Sequence, residues 1–236
     1  MGIVYWSATP LPSVDEIPAL RAYLDESFPL ADNSAYLDRL MGSESRRPLP
    51  RVVLARLCAL SLLPSMLAHA GITPQTIRLT RSESGRPYGQ DLSEDRIPFD
   101  FNLSHSDAHV VCALLVGDGQ IGVDAEELLT PTRALPLIHH FCTEGEKKNL
   151  DALSDEEKAA AFTRIWTIRE AVAKQNGQGM PLRYDAARIP ATVRVFCGSI
   201  PQTETRVALC VPRDIGMSEI ISLRPAPAVS WQEAES

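Results

Sequence analysis

The stretch His109-Val-Val-Cys-Ala-Leu-Leu-Val-Gly-Asp-Gly-Gln-Ile-Gly-Val-Asp-Ala-Glu126 sets the plan of this chain. After His109 come seven apolar residues, the pattern of a strand buried on both faces. Gly117-Asp-Gly119 then turns the chain back into a second strand, 120–126. Side chains two apart on a strand point the same way, so Asp124 and Glu126 share one face while Val123 and Ala125 take the other. Two neighbouring carboxylates repel each other, and a bound divalent cation would relieve that repulsion. Magnesium takes one or two carboxylates plus water and phosphate oxygens, so this pair suffices for it when a phosphate ligand helps. Alternating acids also solvate the outer face of an ordinary strand. The pair alone leaves both readings open.

Downstream, 135–141 reads as helical, and Thr143-Glu-Gly-Glu146 and Ser154-Asp-Glu-Glu157 have the spacing of capping boxes. The second opens a long helix to about Asn176, which Gly177 and Gly179 stop. On it Glu170 and Lys174 lie one turn apart, on a stripe with Phe162 and Trp166. Such a pair is commonly an exposed ion pair of small value. This stripe, however, continues from two aromatics that belong towards the core, where charged groups want a partner or a ligand. Strands at 192–196 and 205–211 complete this half. The last dozen residues, with Pro225 and Pro227, are expected to trail off at the surface.

Upstream, Phe101-Asn-Leu-Ser-His-Ser106 is a small polar stretch between apolar segments, suited to presenting hydrogen-bond donors. Ser104 and His105 do not make a nucleophilic triad, because adjacent strand side chains diverge and no GxSxG elbow occurs. His105 either donates to a phosphate or ribose oxygen or is a structural histidine bonded to backbone. Gly85-Arg86-Pro87 is a rigid turn that aims a cation outward. Strands are expected at 3–8, 76–80 and 99–103, a turn at 84–89 and a looser acidic stretch at 90–98. Helices are expected at 15–24, 34–40 and 49–70, the last with Pro50 in its first turn and Pro64 kinking or splitting it.

At 236 residues, 44% hydrophobic and 22% charged, the chain has the composition of a soluble globular protein of one large or two small domains. Its net charge of −7 excludes a global basic field for nucleic acid or anionic membrane. The longest apolar region, 52–70, is interrupted by Arg56, Pro64 and His69 and does not read as a membrane span. Arg39, Arg46, Arg47, Arg51 and Arg56 cluster, either as a solvated helix face or as an anchor for a ligand phosphate. The five cysteines are scattered, odd in number and without a CxxC pair, which argues against zinc or a disulfide framework and for a reducing compartment. With no signal-peptide pattern at the N-terminus, a cytoplasmic location is expected.

Four segments occur in an order that resembles the 4′-phosphopantetheinyl transferases, in particular their two-lobed, Sfp-like branch. They are Gly85-Arg-Pro87, Asn102 to Ser106, Gly122-Val-Asp-Ala-Glu126 and Trp166-Thr-Ile-Arg-Glu-Ala-Val-Ala-Lys174. Phe141-Cys-Thr-Glu-Gly-Glu146 also resembles the family's segment between metal strand and catalytic helix. The likeness spans about 85–180. The N-terminal third matches only in length and basic patch, and Arg169 stands where the family has Lys.

The resemblance implies an α+β fold of two similar lobes, a pseudo-dimer in one chain with the active site in the cleft between them. The N-terminal lobe would be 1–119 and the C-terminal lobe 120–236. It implies transfer of 4′-phosphopantetheine from coenzyme A to a serine of an apo acyl or peptidyl carrier protein, with release of 3′,5′-ADP. Asp124, Glu126 and Glu170 would hold Mg2+, and Glu170 and Lys174 would be catalytic. Arg86, Ser104, His105, Arg46 and Arg47 would bind the nucleotide's phosphates. A monomer is expected, with no nucleic acid or membrane partner. The same carboxylates would also serve a magnesium-dependent hydrolase of a pyrophosphate ester, which would consume coenzyme A without a carrier. A catalytically silent carrier-binding module is a third reading, against which the intact set of Asp124, Glu126, Glu170 and Lys174 stands.

Overall fold

The computed structural model describes residues 2–42, 48–177, 189–223 and 229–234. Within them, β1 (Ile3–Pro10), β2 (Ile77–Arg81), β3 (Pro87–Asp91), β4 (Phe99–His105), β5 (His109–Val116), β6 (Gly122–Glu127), β7 (Val193–Ser199), β8 (Thr205–Pro212), β9 (Ile220–Ser222) and β10 (Gln232–Glu233) form two four-stranded sheets and a hairpin. The first sheet runs β4-β5-β1-β9, antiparallel except where β9, from the far end of the chain, joins β1 in parallel. The second runs β10-β7-β8-β6 and is antiparallel throughout.

Alternation along the strands decides how these sheets stack. On the first, Val4, Trp6, Ala8, Val111, Ala113 and Leu115 pack against Val123, Ala125, Phe196, Val207, Leu209 and Val211 of the second. The opposite face, carrying Tyr5, Phe101, Val110, Cys112 and Leu114, is covered by α1 (Ile17–Ser27), α2 (Ala31–Met41), α3 (Pro50–Ser61) and α4 (Leu63–His69). The second sheet's outer face, with Val195, Ala208 and Cys210, takes Ala171 and Val172 of the long helix α7 (Asp155–Asn176). Helices α5 (Pro131–Phe141) and α6 (Glu144–Leu150) precede α7, and side chains of all three meet in a separate cluster. The fold is α+β, layered helices, sheet, sheet, helix. Each fully buried Leu, Val or Phe in the central layer contributes about 1.5–3 kcal/mol.

Several sequence expectations take a sharper form. Both capping boxes are present, at Thr143 and Ser154, and Gly177 ends α7 in the left-handed region at φ 69°. The apolar helix expected at 49–70 is two helices broken at Leu62. Pro64 sits in the first turn of α4, where its missing N–H costs nothing. Pro50–His69 is long and apolar enough to cross a membrane by length and composition, yet most of it is buried inside the protein. All five cysteines are free and buried.

Three expectations are corrected. The 117–119 turn does not close a hairpin. Gly117 (φ 128°) and Gly119 (φ 114°) carry the chain out of the first sheet and into the second, where β6 pairs with β8. The end of the turn expected at 84–89 and the start of the looser stretch at 90–98 form β3, antiparallel to β2. It was hidden in the sequence because Pro87 and Gly89 are poor strand formers away from an edge. The chain end does not simply trail away either: β10 pairs with β7, Ala234 is buried, and Trp231 meets Trp6 edge-on at 5.1 Å between ring centres.

Candidate active site

Strand β6 is an edge of the second sheet and lies beside β4, an edge of the first, without a backbone ladder between them. Side chains stitch the two instead. Asp100 Oδ2 accepts from Ile121 N at 2.8 Å, Asn102 Oδ1 accepts from Val123 N at 3.1 Å, and Ser104 Oγ donates to Asp124 Oδ1 at 2.9 Å. The polar set at 100, 102 and 104 has the period of a strand face, a signal in the sequence that the reading of 101–106 as a polar stretch passed over.

On its outer side, β6 is held very close to α7. A Cβ placed on Gly122 would lie 1.9 Å from Ala171 O and 2.6 Å from Gln175 N, so only glycine admits the helix at this separation. The close approach brings the acidic face of β6 under Glu170 and Lys174. Lys174 Nζ donates to Asp124 Oδ1 and to Ser104 Oγ, both at 2.7 Å. Trp166, one turn before Glu170, donates Nε1–H to Glu126 Oε1 at 3.2 Å.

These groups open onto a cavity of about 400 Å³. Ser104, His105, Asp124, Glu126, Glu170 and Lys174 form one wall, and Tyr36, Arg56 and Arg81 are on others. Six of the residues singled out from the sequence therefore share one space. Arg86 does not line it. Its guanidinium grips Asp100 with two bonds of 2.7 and 2.6 Å and also donates to Ile121 O and Lys174 O at 2.7 and 3.1 Å. It ties the β2–β3 hairpin to β4, β6 and α7, and its donors are spent on protein. Arg46 and Arg47 lie outside the described residues. Two other cations are present, Arg56 from the basic cluster read in the sequence as a possible phosphate anchor and Arg81, which the sequence did not single out. Arg56 reaches the cavity from α3, and Arg81 stacks its guanidinium 5.7 Å from the centre of the Tyr36 ring.

The electrostatics are those of an acidic cluster short of positive charge. Burial, and then Asp124, push the Glu126 carboxyl up to about 7, against the opposing pull of Trp166 and Lys174. Burial and Asp124 also raise Glu170, while Lys174 lowers it. His105 is held below its ordinary value by desolvation and then by Lys174, which favours the neutral imidazole. Asp124 is almost wholly buried, and its Oδ2 has no hydrogen-bond partner.

A buried carboxylate oxygen without a partner, in a cavity shared with two carboxyls whose ionisation is opposed, is the chemistry a hard divalent cation would answer. Asp124, Glu126 and Glu170 offer the oxygen donors that such an ion takes. Among the described residues, no three acidic, histidine or cysteine side chains are already gathered as a metal cage, and Lys174 Nζ occupies the other oxygen of Asp124.

Residue 169 follows a different course from its neighbour. The Arg169 guanidinium turns away to donate to both oxygens of Glu146, at 2.9 and 2.8 Å, and to Phe141 O at 2.7 Å. It binds helices together and does not line the cavity.

Known proteins similar to this chain are 4′-phosphopantetheinyl transferases. The family model of the 4′-phosphopantetheinyl transferase superfamily matches residues 120–200, the stretch that carries β6 and α7. The chain is 28% identical over 171 residues to the 4′-phosphopantetheinyl transferase Sfp of Bacillus subtilis, covering 70% of this chain and 72% of that one. It is 30% identical over 143 residues to the 4′-phosphopantetheinyl transferase AcpT of Escherichia coli, covering 54% and 73%. With HetI of Nostoc, also a 4′-phosphopantetheinyl transferase, it shares 33% over 121 residues, half of each chain.

Proposed function

The chain belongs to the 4′-phosphopantetheinyl transferase superfamily and is a transferase, and from that premise we propose that it moves 4′-phosphopantetheine from coenzyme A to a serine hydroxyl of an apo acyl or peptidyl carrier protein. The observation that carries this reading is the convergence of Ser104, His105, Asp124, Glu126, Glu170 and Lys174 on one cavity. In the reaction, the serine Oγ forms a bond to the pantetheine-bearing phosphorus. The anhydride bond breaks, and 3′,5′-ADP leaves with the electron pair.

Asp124, Glu126 and Glu170 would hold Mg2+, which when bound supplies charge neutralisation at the pyrophosphate. Glu170 would also take the serine proton, directly or through a water. Lys174 Nζ, already placed between Ser104 and Asp124, neutralises charge growing on the departing phosphate oxygen. His105 and Ser104 orient the nucleotide phosphates. Arg56 and Arg81 take the part that Arg86, committed to Asp100, does not. The two sheets with their helices read as two related lobes, 1–119 and 120–236, with β9 returned to the first. A monomer working in the cytoplasm accords with this reading.

The test is intact-protein mass spectrometry of a panel of apo carrier proteins incubated with this protein, coenzyme A and magnesium. A phosphopantetheine-sized gain on a carrier, abolished by Glu170→Ala and by a chelator, is the expected result. Coenzyme A cleaved without any gain would make the protein a hydrolase. Intact coenzyme A and unmodified carriers across the panel would refute the transfer reaction proposed here.

A further inference from the structure

Behind Glu126 runs a chain of contacts that begins at Arg169, where the family has Lys. Arg169 is buried on α7 and reaches two helix ends at once. It holds the carboxylate of Glu146 at the start of α6 and the carbonyl of Phe141 at the end of α5. Glu146 is itself fixed, because its Oε2 also accepts from Thr143 N and Thr143 Oγ1 at 2.8 and 2.9 Å in the capping box. Phe141 carries the constraint onward. Its ring meets the Trp166 indole edge-on, with centres 5.3 Å apart, while Phe162 supports the indole from another side at 5.9 Å. The indole N–H, set by this packing, points at Glu126 Oε1.

We propose that Arg169 and Glu146 are positioning residues for the cation site, acting through Phe141 and Trp166 to orient the Glu126 carboxylate. The inference rests on reading Glu126 as a metal ligand and goes beyond it in assigning the support. Groups that orient ligands from behind are commonly worth about 10–100-fold in metal affinity. A planar guanidinium makes this clamp in a way an ammonium cannot, since the fork reaches a carboxylate and a carbonyl together. Arg169→Lys keeps a charge opposite Glu146 but has one donor head to share, so its effect falls between wild type and Arg169→Met.

The experiment uses the full chain labelled at tryptophan nitrogen. The protein has three tryptophans, so Trp166→Phe assigns the indole N–H resonance of Trp166. In Arg169→Met, and in Phe141→Leu where the clamp itself is intact, that resonance should move and exchange faster with solvent. The resonances of Trp6 and Trp231 should stay in place, which shows that the protein remains folded. Mn2+ affinity, followed by calorimetry, should fall about tenfold in Arg169→Met. It should fall no further in the double variant with Trp166→Phe, because the two act in one chain. An unmoved Trp166 resonance in Arg169→Met, or fully additive losses of Mn2+ affinity, would overturn the proposal. If the resonance moves but the wild-type protein takes up no Mn2+, the clamp stands and the metal assignment of Glu126 fails.

Discussion

Replacing Glu126 by Gln should stabilise the metal-free protein above neutral pH while removing its response to magnesium. The folded state raises this carboxyl from an ordinary 4.5 to about 7, through burial and the neighbouring Asp124. An acid whose pKa is raised on folding favours the folded state when protonated. Its contribution is complete below pH 4.5 and is lost as pH climbs through 7. The full displacement corresponds to about 3 kcal/mol. Glu126 is only partly buried, and screening by water brings this to about 2 kcal/mol. Gln keeps an oxygen to accept from Trp166 and has no charge to desolvate, so at pH 8 it recovers most of that penalty. For a chain of this size, that is a rise of about 4–8 °C in melting temperature. Thermal unfolding of wild type and Glu126→Gln, metal-free, at pH 4 and pH 8 reads the difference directly. The variant should gain at pH 8 and not at pH 4, and added magnesium should raise wild type alone. An equal gain at both pH values, or none at pH 8, would refute the argument that burial and the neighbouring Asp124 oppose the ionised Glu126 carboxyl.

Gly122→Ala should prevent α7 from seating on β6, because the new methyl would meet backbone atoms that cannot step aside. Circular dichroism and melting should show a loss of about 3 kcal/mol or more. Lys174→Met should leave Asp124 buried without its partner and cost about 3–5 kcal/mol of stability. It should also tighten Mn2+ binding in calorimetry, since the amine no longer competes for Asp124 Oδ1, even as transfer activity falls. Arg56→Gln and Arg81→Gln should each weaken coenzyme A binding about tenfold through a lost charge-assisted contact, as measured by calorimetry. Arg86→Gln should instead appear first as lost thermal stability, because it unpairs the buried Asp100.

Local physics makes much of this protein legible in its sequence. Capping boxes at Thr143 and Ser154 depend on residues three apart, so their helices could be placed to within a residue or two. The two-residue repeat of β6 set Asp124 and Glu126 on one face, and the four-residue repeat of α7 did the same for Glu170 and Lys174. The apolar run in β5 announced burial on both sides. What such patterns could not supply was any relation between elements distant in the chain. Whether Gly117-Asp-Gly119 returned the chain to the same sheet or passed it to another depended on β8, some ninety residues later. Arg86 looked like an outward cation, and Arg169 like a stand-in for the family's Lys, because a sequence records a charge and not its partner. Asp100 and Glu146 gave them internal duties instead. Arg81 became a wall of the cavity only once Tyr36 was beneath it. The close contact of Gly122 with Ala171 brought two separately readable pairs of charges into one site. Backbone hydrogen bonding and hydrophobic period are properties of neighbours along the chain, whereas a buried charge or a binding cavity exists only where packing sets distant residues side by side.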